Sequence, residues 1–474
     1  MKFPRLQATD LVGANLGGRP VNALTMLREI VARTFGQDPA TNGAKAGTIW
    51  SGAGMVASAL GSLVASMVLV ANTQTSVFAD VAVLTVGIAI LGTVFRVGGD
   101  RIFVGEVQAA RDIAGATSAR DRGASLLAFS IFAAVVGGFL VAAGPLASLL
   151  NIAMSAPLSG FERILAGAWL ASDIARLVVG EGHRWSLRFK LAAFSSSGAR
   201  APLFLLLVVA MLASGVALTR AHLILAGAVA SVTVFVVSLL ALGRRFPWWA
   251  RNPFGSAREL WTGHSLMLAT TLAATVIGGS DVWIVGAAIG HAPAARYAFA
   301  VSIVAGVPVV SSAVSLGLAP YLAAGLQPGN SQKTSALVVN YTRVASLLAF
   351  ALYAGLLLFA QPVAVFLGDD YRGVFQLVAI LGAGQLVGVI AGPGGNVLIL
   401  ARQYRLIASI TVGIGVTMVT ITATAAWTTH SEIVVALASG SATAALNVVG
   451  SIASQHRANM PVHALHGLWS WPKK

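Results

Sequence analysis

Cysteine is absent from all 474 residues, which excludes a disulfide framework, a thiolate metal site and a cysteine nucleophile. Charge is almost as scarce. Asp, Glu, Lys and Arg make up 10% of the chain, against roughly 25% in a soluble domain, and so few charges do not keep a large surface solvated. The first 46 residues hold no apolar segment of signal-peptide type. Nothing resembling a nucleotide-binding P-loop appears, which argues against direct coupling to ATP. No cofactor and no metal centre are expected.

What remains is apolar. Hydrophobic residues make up 57% of the chain, and the mean hydropathy is +0.81. They fall in repeated runs of ~20 residues, the length at which a helix crosses the hydrocarbon of a bilayer. Such runs lie near 48–71, 77–97, 123–150, 161–180, 201–218 and 221–242, then 265–289, 297–323, 344–367, 374–400, 406–427 and 432–452. The expected fold is therefore an all-α integral membrane protein of about twelve transmembrane helices.

The net charge of +15 is explained by topology, with no need for nucleic acid, because cytoplasmic loops collect Lys and Arg. With both termini placed in the cytoplasm, the inside segments hold Arg101, Arg111, Arg120, Arg122, Arg184, Arg188, Lys190, Arg244, Arg245, Arg251, Arg258, Lys333, Arg402 and Arg405. The outside loops and their edges hold only Arg163, Arg220, Arg296 and Arg372. The pattern predicts a multi-pass protein of a bacterial inner membrane. The expected organisation is a cytoplasmic N-terminal arm over 1–46, with a short amphipathic stretch from Met26 to Phe35, and a first lobe of six spans over 47–242. A basic, aromatic cytoplasmic loop over 243–264 leads to a second lobe of six spans over 265–453 and a cytoplasmic tail over 454–474. Outside loops such as 72–76 and 428–431 are short. They leave no room for the catalytic loop of a polysaccharide polymerase or ligase, so the chain is not expected to be an enzyme.

Glycine is abundant, at 51 residues, and its general role in such spans is close helix packing. Gly392, Pro393 and Gly394 inside the tenth span are different. Proline removes a backbone donor and the glycines relax the helix, so a kink or break is expected there, acting as a hinge, as cavity lining or as a passive bend.

The second half carries a recognisable order of motifs. Asp281-Val282-Trp283-Ile284-Val285-Gly286 is followed by Arg296-Tyr297-Ala298-Phe299-Ala300, and the eighth span closes with Ala319-Pro320. Phe366-Leu367-Gly368-Asp369-Asp370-Tyr371 and Ile380-Leu381-Gly382 come further on. This order resembles the polysaccharide-transport branch of the multidrug/oligosaccharidyl-lipid/polysaccharide exporter superfamily, the Wzx-type flippases, over roughly residues 46–455. Ala295-Arg296 stands where that branch usually has Gly and a variable residue, and Phe366-Leu367-Gly368 has one residue more than its commonest Phe-Gly. The resemblance implies two six-helix lobes of the MATE/MOP type with an alternating-access cavity between them. It also implies a polyprenyl-diphosphate-linked oligosaccharide repeat unit as substrate, for exopolysaccharide, capsule or O-antigen assembly. Membrane lipid and a polysaccharide polymerase would be the partners.

Ionisable groups inside spans are costly and mark candidate sites. A diphosphate calls for Arg, whose planar fork donates paired hydrogen bonds. The substrate-binding candidates are Arg96, Arg176, Arg296, Tyr297 and Asn396. Asp173 and Arg176, three apart on one helix face, form either a structural ion pair or a site for diphosphate or a coupling proton. Asp281 is either a proton- or cation-coupling carboxylate or the acceptor of an inter-helix hydrogen bond. A multidrug or organic-cation antiporter would instead need a cavity of carboxylates and aromatic faces. A lipid II flippase would use the same anion chemistry, often with two further spans. Few intramembrane acids beside several arginines favour an anionic substrate.

Overall fold

A backbone in hydrocarbon has no water to bond, so each span satisfies its N–H and C=O groups internally as helix. The computed structural model describes residues 39–96, 98–243, 255–313, 315 and 331–466, and every regular element among them is helical. Residues 1–38 of the predicted arm, with Met26–Phe35, the loop residues 244–254 with Arg244, Arg245 and Arg251, and Ala319-Pro320 lie outside the described residues, while the last residues of the predicted arm, from Pro39, are helical. Met1–Lys45 and Ala46–Lys474 are separate units, and the packing below belongs to the second.

In chain order the helices are α1 Pro39–Asn72, α2 Thr75–Arg96, α3 Gly99–Ala142, α4 Ala147–Asn151, α5 Gly160–Trp185, α6 Phe189–Ala193, α7 Arg200–Ala213 and α8 Arg220–Leu242. The predicted second lobe continues with α9 Gly255–Ile277, α10 Ser280–Ala288, α11 His291–Val304, α12 Ser331–Phe366, α13 Val374–Ala391, α14 Gly394–Leu400, α15 Tyr404–Thr429 and α16 Glu432–Ala458. Among the described residues nine helices are long and apolar enough to cross a membrane, or up to eleven if each of two bent pairs is one span. The run predicted over 161–180 is α5. Its 26 residues extend about 39 Å at 1.5 Å per residue, long enough to cross, but it carries Glu162, Arg163, Asp173, Arg176, Glu181 and Arg184.

Several predicted boundaries move, each for a local reason. The third span ends at Ala142, short of 150, because Gly144 turns the chain with φ +110° before Pro145. The seventh is not continuous. Gly278 and Gly279 interrupt it, and its halves Ser265–Ile277 and Ser280–Ala288 meet at 52°. The tenth breaks at the expected place, with Gly392 at φ +81° between α13 and α14. A Cβ on Gly394 would lie 2.5 Å from the Gly450 backbone of α16, so the glycine here is required by close approach. The same holds between α3 and α5, where a Cβ on Gly138 would lie 2.6 Å from the Gly167 carbonyl.

The predicted tail is structured over its described residues, up to 466. Helix α16 runs on to Ala458, Asn459 takes a left-handed conformation (φ +49°), and the chain turns back across the C-lobe. Met460 and Val462 are fully buried with Val338 of α12 and Val397 of α14. The break in α13 diverts the Gly394 N–H to the Gly392 carbonyl, and the Ala464 N–H reaches the Ile390 carbonyl at 2.9 Å. A backbone acceptor freed by the break is thus satisfied by this strap. Burial, then the neighbouring His466, pushes the His463 imidazole below its usual range.

The lobes meet along α2, which packs against α9, α10 and α11. One continuous apolar core crosses this seam, from Leu84 and Ile88 to Val285 and Phe299. Three polar links accompany it. Thr75 donates to Asp370 at 2.7 Å, Ser66 to Ser302 at 3.0 Å, and the Thr93 and Thr275 hydroxyls lie 3.2 Å apart.

Candidate functional site

The charged helix α5 is started by a capping box. Ser159 Oγ accepts the Glu162 N–H, and the Glu162 carboxylate accepts the Ser159 N–H. Further along, a π-helical turn over Phe194–Gly198 shifts the hydrogen-bond ladder beside α5. Arg176 supplies what the turn lacks: its Nη1 donates to the Ser195 and Ser196 carbonyls, each at 2.8 Å. Its Nε and Nη2 hold Asp173 at 2.9 and 2.7 Å. Asp173 also faces Arg200 Nε at 3.6 Å. One carboxylate between two guanidiniums leaves a net positive charge, and it is Arg200 that stands forward.

Arg200 lies over the Trp169 ring, 5.8 Å from its centroid, and lines a cavity of about 240 Å³ between the lobes. Ser62, Ser66, Phe78, Thr85, Phe204 and Ser302 share that lining. Among the described residues that line it, Arg200 is the one charged side chain, with Asp173 behind it at 3.6 Å. The wall is thus apolar and aromatic, with hydroxyls and one fixed cation, a surface suited to an anion.

A second buried polar cluster lies in the C-lobe. Asp281 follows the Gly278–Gly279 break, in the first turn of α10. Its Oδ2 accepts Tyr297 Oη at 2.9 Å and Ser439 Oγ at 2.7 Å, and its Oδ1 accepts the Val282 N–H at 2.9 Å. All three side chains are buried. Asp281 therefore has inter-helix partners on α11 and α16.

The remaining candidates go elsewhere. Arg96 bonds Asp100 at 3.0 Å, Thr93 at 2.8 Å and the Gly92 carbonyl at the end of α2. Arg296 bonds Glu432 at 2.9 Å and the Asp370 carbonyl. Asn396 is exposed on α14, and Gly392 and Gly394 face the strap and α16. The structure thus brings together Asp173 with Arg176, and Asp281 with Tyr297, but not the five substrate candidates as one group. Tyr297 and Arg296, adjacent in sequence, serve different partners.

Sequence reasoning missed Arg200 and the hub at Arg220. Arg220 binds Glu162 through Nε and Nη2, each at 2.8 Å, and Asp80 through Nη1 at 3.0 Å. Asp80 lay in plain view as a lone acid in an apolar run. Arg200 stands at a span end, where arginines are ordinary.

No protein-family model matches the chain, and no curated protein matches it either. Solved structures do. An inward-facing multidrug resistance MATE family transporter of the MOP superfamily superposes with a TM-score of 0.61 at 14% identity, over 85% of this chain and 94% of that one. The lipid II flippase MurJ in an inward closed conformation gives 0.64 at 12% identity, over 85% and 87%. A MOP superfamily transporter from Pyrococcus furiosus, described by a reversed polarity of its binding pocket, gives 0.56 at 14% identity, over 90% and 97%. The fold is that of the MATE/MOP transporters. The chain is a multi-pass membrane protein.

Proposed function

We propose that this chain is a flippase for polyprenyl-diphosphate-linked oligosaccharide repeat units, supporting assembly of a surface polysaccharide. The observation that carries the reading is the polarity of the cavity between the lobes, where Arg200 is the one charged lining residue among those described. Arg200 contacts the diphosphate, and Ser62, Ser66, Thr85 and Ser302 offer hydroxyls to the head group. The polyprenyl tail stays in lipid while the lobes rock about the α2 seam, exposing the cavity to each side in turn. The sequence motifs of the second half support the oligosaccharide branch. The charge pattern supports an inner-membrane location with cytoplasmic termini, and a polysaccharide polymerase would take the product.

Lipid II is the second reading, since it presents the same diphosphate and the fold is shared with MurJ. An organic-cation antiporter fits less well, because a guanidinium at the cavity wall repels its substrate. The test is deletion of the gene with analysis of lipid-linked sugars and surface polymer. Loss of polymer with accumulation of cytoplasm-facing repeat units, reversed by wild type but not by Arg200→Gln, supports the flippase. Unchanged polymer with new sensitivity to cationic dyes overturns it, and arrest of peptidoglycan synthesis assigns lipid II.

A further inference from the structure

Acids are scarce in the part of the sequence that builds α11 to α16 and the strap. After Asp281 the sequence holds only three acids, Asp369, Asp370 and Glu432. All three belong to the opposite end, where Asp370 meets Thr75 and Glu432 meets Arg296. A recess of about 320 Å³ opens between α12 and the strap, lined by Ser335, Asn340, Arg343, Asn459, Pro461 and His466. Arg343 is fixed there by neutral groups: its Nε donates to the Ala464 carbonyl at 2.9 Å and its Nη2 to the His466 carbonyl at 2.5 Å. Its Nη1 has only a 3.5 Å contact with Asn340 Oδ1. Arg96, Arg176, Arg200, Arg220 and Arg296 all have a carboxylate in ion-pair range. Arg343 has none among the described residues.

The guanidinium is therefore oriented on one side by backbone and left with donors on the side of Asn340. An oriented Arg without a counter-charge, beside amide side chains in a recess, matches the donor needs of a phosphate. Its level also fits. Leu347 and Phe350, one and two turns further along α12, are exposed by 70% and 60%, as a lipid-facing surface is. The recess thus sits where the apolar belt gives way to polar groups.

We propose that the Arg343 recess binds a phosphate group, carried by the headgroup of an anionic phospholipid or by a free phosphate anion. The proposal is independent of what the central cavity carries. It is tested on the purified full chain in detergent, by thermal unfolding with phosphatidylglycerol, phosphatidylcholine or inorganic phosphate added. Phosphatidylglycerol is expected to raise the unfolding midpoint by several degrees while phosphatidylcholine does not. Asn340→Gln keeps that shift. Asn340→Glu abolishes it, by placing a carboxylate beside Nη1 while the bonds of Nε and Nη2 to the strap remain. Arg343→Gln abolishes it too but also loosens the strap, so Asn340→Glu is the deciding variant. An equal shift with inorganic phosphate, lost in the same variants, identifies the free anion as a sufficient ligand; a shift with lipid alone identifies the headgroup. A shift that survives Asn340→Glu, or no shift with either anion, overturns the proposal.

Discussion

Arg220 donates to Asp80 at 3.0 Å although 140 residues separate them. The bond ties the start of the sixth span in the N-lobe, α8, to the second, α2. In the C-lobe Arg296 at the start of α11 meets Glu432 at the start of α16 at 2.9 Å, again the second and sixth spans, with the signs exchanged. Each lobe thus closes the same end of its bundle with an ion pair between the same two helices. Asp80 is 2% exposed, and removing a partner from a buried pair leaves a charge uncompensated. Arg220→Ala is expected to destabilise the protein by about 3–5 kcal/mol, read as a lower unfolding midpoint in detergent. Full wild-type stability in that variant would sink the hub interpretation.

Arg200 makes a different kind of contact. It stands 3.6 Å from Asp173, whereas Arg176 already holds that carboxylate at 2.7 Å. Arg200→Gln should therefore leave folding near normal while weakening substrate binding about 10- to 100-fold, the range of a charged hydrogen bond of roughly 1.5–3 kcal/mol. Arg200→Lys should restore part of it, since a point charge replaces the planar fork. Uptake of a lipid-linked oligosaccharide into vesicles measures both.

Arg176 should show the reverse profile. Its donors are spent on Asp173 and on the Ser195 and Ser196 carbonyls of the π-helical turn. Arg176→Gln is expected to cost about 1–3 kcal/mol of stability for each buried group left unpaired. Comparing melting curves with transport in the surviving protein separates the two arginines.

The strap predicts an effect from the loss of a single backbone donor. Ala464→Pro deletes the N–H that bonds the Ile390 carbonyl at 2.9 Å, exposing an acceptor created by the break at Gly392. A loss of about 1–3 kcal/mol is expected, together with faster hydrogen exchange of the α13–α14 junction in mass spectrometry. Unchanged exchange there would mean that the strap does not hold the break.

Asp281 accepts from both Tyr297 and Ser439, so a double-mutant cycle of Tyr297→Phe and Ser439→Ala should be non-additive by about 0.5–3 kcal/mol, as expected within one network. If the network also carries a coupling proton, Asp281→Asn abolishes the dependence of transport on a proton gradient. Loss of stability with the gradient dependence intact assigns it to structure alone.

Composition by itself determined that the chain is a helical membrane protein, because apolar side chains place the backbone in lipid, where its polar N–H and C=O groups have few ways to be satisfied. The places of most spans, the break at Gly392-Pro393 and the pairing of Asp173 with Arg176 were legible as well. Each depends on residues a few positions apart. The break at Gly278–Gly279 was written in the sequence but hidden within an apolar run. What the sequence left open are the long-range choices: Arg220 for Asp80, Tyr297 and Ser439 for Asp281, and Ala464 for Ile390. Those partners lie up to 158 residues apart, and an arginine carries no mark of which distant carboxylate or carbonyl it will reach. Arg200 entered the cavity, and Arg176 did not, because a π-helical turn happened to claim one and leave the other. Only the packing of helices against one another decides which costly charge is neutralised inside the protein and which is left facing the space between the lobes.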